Sequence, residues 1–484
     1  MALPISYGIP DLMKASDLDI AMPEGTVSRQ IRVTPSNLSS IVSPTYTVPS
    51  TGRLTDQVFN SQNIYFDIPC LPNSWIDTRQ STVSFRAIYE TVTAGNLNVI
   101  ANAALRGGGY AFFDGLQVLG PAGNILESCS ELGLVYNLLT EYAMSNSDRD
   151  GVGIQYGFQS TAQSAVVGHS IDALVGTLAV PLSQSTSYSF PLLSSIIGSA
   201  ASKAFPIGNV PKLQVILSTT NLLPITMTAT SATAAGTFRV TLTDMVLNLQ
   251  YITLPPAAQN MIESSLSDGK YYIQGNAYRV ASSTLPAAIT GFSSVISGIR
   301  ASSLKSVFFA FNELATTNVW GKYSSKNPCV SHFAFNANGL RYPSLPVEAY
   351  LHPARVLTEL QRAMGSFNST ELKCVADTAR FCVLSTGAAA RSYAVATPTR
   401  DSYWENTANG DSVALGQACF YFGVDTEDVN KKGVLSGLNI NSSQVFLEVT
   451  MGETPTSSHS VYSIGMLDAI YVVDARTGNI DVRL

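Results

Sequence analysis

The 484-residue sequence predicts an all-β fold made of two tandem β-sandwiches with a few short helices. Three observations carry that prediction. First, element types recur in the same order about 220 to 230 residues apart, as a duplicated architecture requires. The strand-like run Ser81–Glu90 returns as Ser303–Asn312, and the helix-like run Ser130–Met144 as Pro353–Met364. Leu213–Thr219 returns as Val445–Met451, and Phe238–Tyr251 as Val461–Asp474. Second, roughly sixteen short runs rich in Val, Thr, Tyr and Phe are separated by Gly, Pro, Asn and Ser turns, in two equal blocks. That pattern suits two sandwiches better than one barrel. Third, charged residues make up 13% of the chain, about half the usual ~25%. Strands favour β-branched and aromatic residues over Lys and Glu, and surfaces covered by other subunits are also depleted in charge; composition leaves both readings open.

The elements follow in order. Residues 1–54 hold Pro4, Pro10, Pro23, Pro35, Pro44 and Pro49 and show no regular periodicity. This predicts an extended N-terminal arm. Ile20, Ile31, Val33, Ile41 and Val42 give the arm apolar anchors, so it reads as a strap on a neighbour more readily than as a loose tail. The first sandwich is expected over 55–256. Ile64–Ile68 alternates and stops at Pro69, and after a turn the strand Ser81–Glu90 follows. Tyr110–Leu119 is a strand ended by the turn residues Gly120 to Asn124, before Ile125–Glu127. In Ser130–Met144, Leu132, Val135, Leu138, Leu139 and Tyr142 fall at helical spacing, which predicts one amphipathic helix packed on the core.

Residues 145–187 are rich in Ser, Gln, Gly and Ala and read as a long excursion, a kind of segment often exposed or functional. Strands resume at Tyr188–Leu193, Leu213–Thr219 and Phe238–Leu254. Pro255, Pro256 and a short helix over Ala257–Leu266 mark the junction, with a linker over 257–270 and the second sandwich over 271–484. A second excursion is expected near Ala388–Ala414.

Several function classes fit poorly. Net charge is −6 and no Lys/Arg-rich arm exists, so direct wrapping of nucleic acid is not expected. The N-terminus lacks the basic flank and apolar run of a secretory leader, and no run reaches the ~18 apolar residues of a membrane span. Six cysteines without CxxC spacing read as buried thiols from a reducing compartment. The glycosylation-type triplets at Asn37, Asn368 and Asn441 have no secretory context.

Gly151, Gly153 and Gly157 superficially resemble a dinucleotide loop, but their spacing is wrong and no strand–turn–helix unit surrounds them. His169, His332, His352 and His459 have no metal-ligand spacing, and no Gly-x-Ser-x-Gly elbow marks a nucleophile. Asp425, Glu427 and Asp428 read as solvated loop carboxylates. The chain is therefore expected to have no catalytic, cofactor-binding or metal-binding residues and no cofactor.

Taken in order, several segments resemble a known family. These are Ile64–Cys70 with Trp75–Arg79, Phe112–Glu127 leading into Leu134–Tyr142, and Tyr188–Leu193 followed by Phe205–Leu217. Tyr342–Pro346 with the Pro353–Met364 helix, Leu435–Leu438 and Ala469–Arg483 complete the set. Together they are similar to the double jelly-roll major capsid proteins of the tectivirus–adenovirus lineage, nearest to those of virophages and polinton-like viruses. The resemblance implies two eight-stranded jelly rolls per chain and a homotrimer of pseudo-sixfold outline. It implies an icosahedral double-stranded DNA virus shell, with neighbouring capsomers, penton proteins and minor or cement proteins as partners. It also implies synthesis in the host cytoplasm, residence in the virion, and genome contact left to other proteins or to an internal membrane. The alternative is a non-viral β-sandwich module for carbohydrate binding or adhesion, which would display clustered exposed aromatics. Trp75, Trp320 and Trp404 are too scattered in sequence to make such a cluster.

Overall fold

A computed structural model describes residues 23–42, 46–48, 62–91, 102–106, 108–144, 151–153, 155–156, 159–161, 164–171, 183–220, 225–228, 236–266, 268–296, 298–313, 325–349, 352–365, 374, 381, 383–384, 405–406, 420–427, 437–441, 444–452, 454–455 and 457–483. The first half begins with β1 (Val27–Val33), β2 (Ser40–Val42), β3 (Tyr46–Val48), β4 (Asn63–Ile68), β5 (Ser74–Thr91) and β6 (Asn102–Arg106). Next come β7 (Phe113–Leu119), β8 (Ile125–Ser130), helix α1 (Leu132–Tyr142), β9 (Gln159–Thr161) and β10 (Ser164–Ile171). It closes with β11 (Ser183–Pro191), β12 (Leu213–Thr219), β13 (Ile225–Thr228) and β14 (Gly236–Thr253).

Helix α2 (Pro256–Ser265) leads into β15 (Lys270–Leu285), β16 (Gly291–Val295), β17 (Leu304–Glu313), β18 (Val330–Ala337) and β19 (Leu340–Glu348). Helix α3 (Pro353–Ala363) is followed by β20 (Val383–Leu384), β21 (Glu405–Asn406), β22 (Tyr421–Asp425), β23 (Val445–Met451), β24 (His459–Asp474) and β25 (Ile480–Arg483).

Pairing reveals the duplication directly. The first half has one sheet ordered β1-β14-β5-β11 and another ordered β4-β12-β7-β8. The second half repeats them as β15-β24-β17-β22 and β16-β23-β18-β19. Each half is thus built on two antiparallel sheets whose four-strand paths share the same order, the arrangement of a jelly roll. β2 and β3 add to the first path through β14, and β25 adds to β24 in the second half. Aromatic packing follows the same plan. In the first roll Phe85 of β5 meets Phe113 of β7 and Tyr188 of β11, with ring centroids 5.4 and 5.2 Å apart. In the second roll, Phe422 of β22 meets Phe309 of β17 and Phe333 of β18 at 5.0 and 4.0 Å. The buried side chains of both rolls form one contiguous apolar cluster.

Several elements depart from the sequence reading. Val27–Val33, assigned to the arm, is the edge strand of the first sheet, paired with β14 from Val27↔Thr253 to Val33↔Leu247. Only Val33 of its seven residues is fully buried, so the strand lacks the alternating apolar signal that marks inner strands. Ser40–Val42 and Tyr46–Val48 also pair with β14, while residues 1–22, with Ile20, lie outside the described residues. The strand expected at Ser81–Glu90 starts at Ser74, because Ser74–Asp77 pairs with Gln250–Thr253 beyond a register shift. Tyr110–Phe112 forms a 3-10 turn, not strand.

The 145–187 excursion contains β9 and β10, which join β6 and β13 in a four-stranded sheet ordered β13-β6-β10-β9. Three separate loops of the first roll build that sheet, so no local stretch announces it. Of the 388–414 excursion, only Glu405 and Asn406 are described. Cys129, Cys329 and Cys374 are buried and Cys70 half-buried, none in a disulfide; Cys382 and Cys419 lie outside the described residues.

Candidate assembly surfaces

The seam between the rolls is buried and carries polar groups at a few points. Trp75 on β5 is buried, donates its indole N–H to the Gln259 side-chain oxygen on α2 at 2.9 Å, and meets the Tyr271 ring of β15 edge-on. A second knot centres on Glu127 of β8. Its carboxylate accepts hydrogen bonds from the Ser194 hydroxyl (2.6 Å), the Ser195 N–H (2.8 Å) and the Ser195 hydroxyl (2.7 Å). With the Ser195 proton committed there, Tyr471 of β24 donates to Ser195 Oγ at 2.5 Å and carries the chain of bonds into the second roll. Burial pushes the Glu127 carboxyl above the usual carboxylate range, against the pull of these donors.

The backbones also touch. Ala201 bridges Gly275, and the Asn276 N–H donates to the Ala200 carbonyl at 2.9 Å. A Cβ on Gly275 would lie 2.2 Å from the Ser195 carbonyl oxygen, so only glycine admits this approach. Helix α1 is buried on both sides of the seam: Tyr136 stacks on Tyr110, and the Asn137 amide donates to the Tyr421 hydroxyl at 3.0 Å.

The counterpart surfaces of the other roll edges are open. In the first roll the edge strand β8 packs against β15, the first strand of the second roll. Its equivalent in the second roll, β19, is an edge strand that pairs only with β18 among the described residues. β19 shows Leu340 and Leu345 at 60% and 78% exposure. The equivalent of β15 is β1, another edge strand, with Val27 55% exposed. Helix α3 matches α1 in position but buries only Pro353, Val356, Leu360 and Ala363. A shallow groove of 490 Å³ beside β19 is lined by Asn336, Gly339, Arg341, Ser344, Gln444 and Phe446 among others.

Among the described residues, no group of three or more His, Cys, Asp or Glu side chains is placed to hold a metal ion. No described helix is long and apolar enough to cross a membrane. Glu427, read as solvated, instead has a side chain only 3% exposed beside Lys305; Asp428 lies outside the described residues. Trp75 is buried and unavailable to stack on a sugar, while Trp320 and Trp404 lie outside the described residues.

No protein-family model and no curated protein matches the sequence. Solved structures do. The chain is similar to the Faustovirus major capsid protein at a TM-score of 0.51 and 10% identity, over 92% of this chain and 90% of that one. It is similar to the mavirus major capsid protein at a TM-score of 0.51 and 11% identity, over 96% and 91%. A chain of the Sputnik virophage structure gives 0.51 and 11% over 92% and 88%. The fold is the viral capsid double jelly roll. Both jelly rolls fall inside these matches, so the duplicated sheets belong to one architecture and are not two unrelated modules. In this double jelly roll, sequence reasoning found most inner strands but missed the seam, whose polar groups come from β5, β8, α1, α2, β22, β24 and the loop after β11.

Proposed function

We propose that this chain is the major capsid protein of an icosahedral double-stranded DNA virus and that it assembles as a homotrimer. The observation carrying this reading is the mismatch between the two ends of the chain. Inside the chain, the β8 edge of one roll is covered by the β15 edge of the next. The same edges recur as β19 and β1, left exposed with Leu340, Leu345 and Val27 outward. A second copy repeating the internal contact would lay its β1 edge on β19 of the first. Such a head-to-tail contact must close into a ring or run on as a filament. Three copies place six similar rolls in a ring, a near-hexagonal tile for a shell.

The domains that follow are a first roll from Val27 to Thr253, a linker at α2, and a second roll from Lys270 onward. The function is structural, not catalytic. Low charge suits side-by-side packing with neighbouring capsomers, and the shell would further engage penton and minor capsid proteins. A chain with no basic arm leaves the genome to other proteins or to an internal membrane, in a virion built from subunits made in the host cytoplasm. Size-exclusion chromatography with light scattering tests the assembly: a trimer is expected, and a stable monomer at high concentration would overturn it.

A further inference from the structure

The second roll buries a lysine against an amide. Lys305 sits at the bulge in β17 between Leu304 and Ser306. Its Nζ lies 3.1 Å from Asp468 Oδ1, 3.7 Å from Glu427 Oε1 and 3.4 Å from Asn276 Oδ1. The side chains of Lys305, Glu427 and Asp468 are 8%, 3% and 0% exposed. Asn276 of β15 is the ladder partner of Asp468 of β24, so amide and carboxyl stand side by side on one face. Asp468 is held in turn by the Ser303 hydroxyl at 2.7 Å and the Gln274 amide at 3.3 Å. Burying such charges is unfavourable, and an apolar pair of like volume would pack as well. A water-excluded amine donor, amide acceptor and positioned carboxyl are, however, the components of amide exchange.

We propose that Lys305 and Asn276 join in an intramolecular isopeptide bond. The Lys305 ammonium passes one proton to the Asp468 carboxylate, and the freed Nζ electron pair attacks Asn276 Cγ. Asp468 returns its proton to Oδ1 as the tetrahedral intermediate forms. A second proton moves from Nζ to Nδ2 through the carboxylates, the Cγ–Nδ2 bond breaks, and the carbonyl re-forms as Oδ1 gives its proton to the departing ammonia. Ammonium leaves carrying the charge that lysine brought, so no oxidant or other reactant is needed. Cγ lies one C=O bond, about 1.2 Å, behind Oδ1. Turning the amide and moving it on the order of 1 Å brings Nζ to attack distance, ~3–3.5 Å. The product ties β15 to β17 across β24, a covalent staple through the middle of the sheet.

Mass spectrometry of the purified full-length chain decides it. The intact mass is expected to fall ~17 Da below the sequence mass, the loss of one ammonia. A tryptic digest should contain a branched peptide joining the Asn276 and Lys305 segments, without cleavage after Lys305. Lys305→Arg keeps the charge but not the nucleophile and should restore the full mass. A cyclised Asn276 also loses ammonia, yet it would survive in Lys305→Arg and give no branched peptide. Separate, unmodified Asn276 and Lys305 peptides from the wild-type chain would overturn the proposal, whether or not the variant folds.

Discussion

Trp75 and Tyr271 meet at right angles with ring centroids 5.3 Å apart, one on the first jelly roll and the other on the opening strand of the second. Edge-to-face pairs of this kind contribute ~0.5–1.5 kcal/mol beyond area burial. The pair clamps the rolls where the linker helix passes, and Gln259 of that helix completes it. Trp75→Phe removes the donor from a buried amide and should cost ~1–2 kcal/mol. Trp75→Ala should cost ~3–5 kcal/mol by cavity formation. Guanidinium unfolding would read both, and the alanine variant should split one transition into two as the rolls uncouple.

Gly275 offers a test from the opposite direction, by adding one methyl. Gly275→Ala sets a Cβ against the backbone of Ser195, which has no rotamer to yield. The seam must then open locally, at ~1–3 kcal/mol. Gly291 in β16, whose Cβ would meet nothing within 4 Å, is the control; Gly291→Ala should be near neutral in the same unfolding assay.

Glu127 and Asp474 shape the pH dependence from two sides. Burial raises the Glu127 carboxyl, so the folded state holds its proton longer than the unfolded chain does. Its contribution is fully present below the unfolded value and falls as pH rises through the folded one. Asp474 is lowered by hydrogen bonds from the Thr477 and Arg476 backbone, so its contribution is present above the unfolded value and lost as pH falls through the folded one. Glu127→Gln cannot ionise and should lose the falling limb on the alkaline side while keeping the acid one. Urea unfolding from about pH 2 to about pH 8 measures both limbs; identical alkaline slopes for variant and wild type would rule out the Glu127 limb.

A head-to-tail ring makes an unusual mixing prediction. Val27→Asp and Leu345→Asp each spoil one half of the contact, and each alone should be monomeric, since a charge buried unpaired at an interface is strongly unfavourable. Mixed, the two variants restore one sound contact, between Leu345 of the first and Val27 of the second. They should give dimers but no closed ring. Light scattering showing trimers from the mixture would contradict the ring model.

The legible parts of this chain are those where chemistry is local. The strand Leu213–Thr219 and the strand Val445–Met451 match the alternating runs residue for residue, and α3 fell where Pro353 and its spaced apolar residues put it. β1 was not legible, because an edge strand with one fully buried residue carries no face to read. The Lys305 cluster was equally hidden. Lys305, Glu427, Asp468 and Asn276 are spread over some two hundred residues, and nothing near Glu427 distinguishes it from a solvated loop acid.

By itself, the sequence determined that the chain is β-rich, that it runs through the same series of elements twice, and that a proline-marked helix divides the halves. Each follows from side-chain periodicity and turn residues, which act within a few positions. Only the tertiary structure decided which edges are covered and which are open, and which charges are buried. Those outcomes depend on packing between elements far apart in the chain, and the free energy of a buried group is set by the neighbours that exclude water from it.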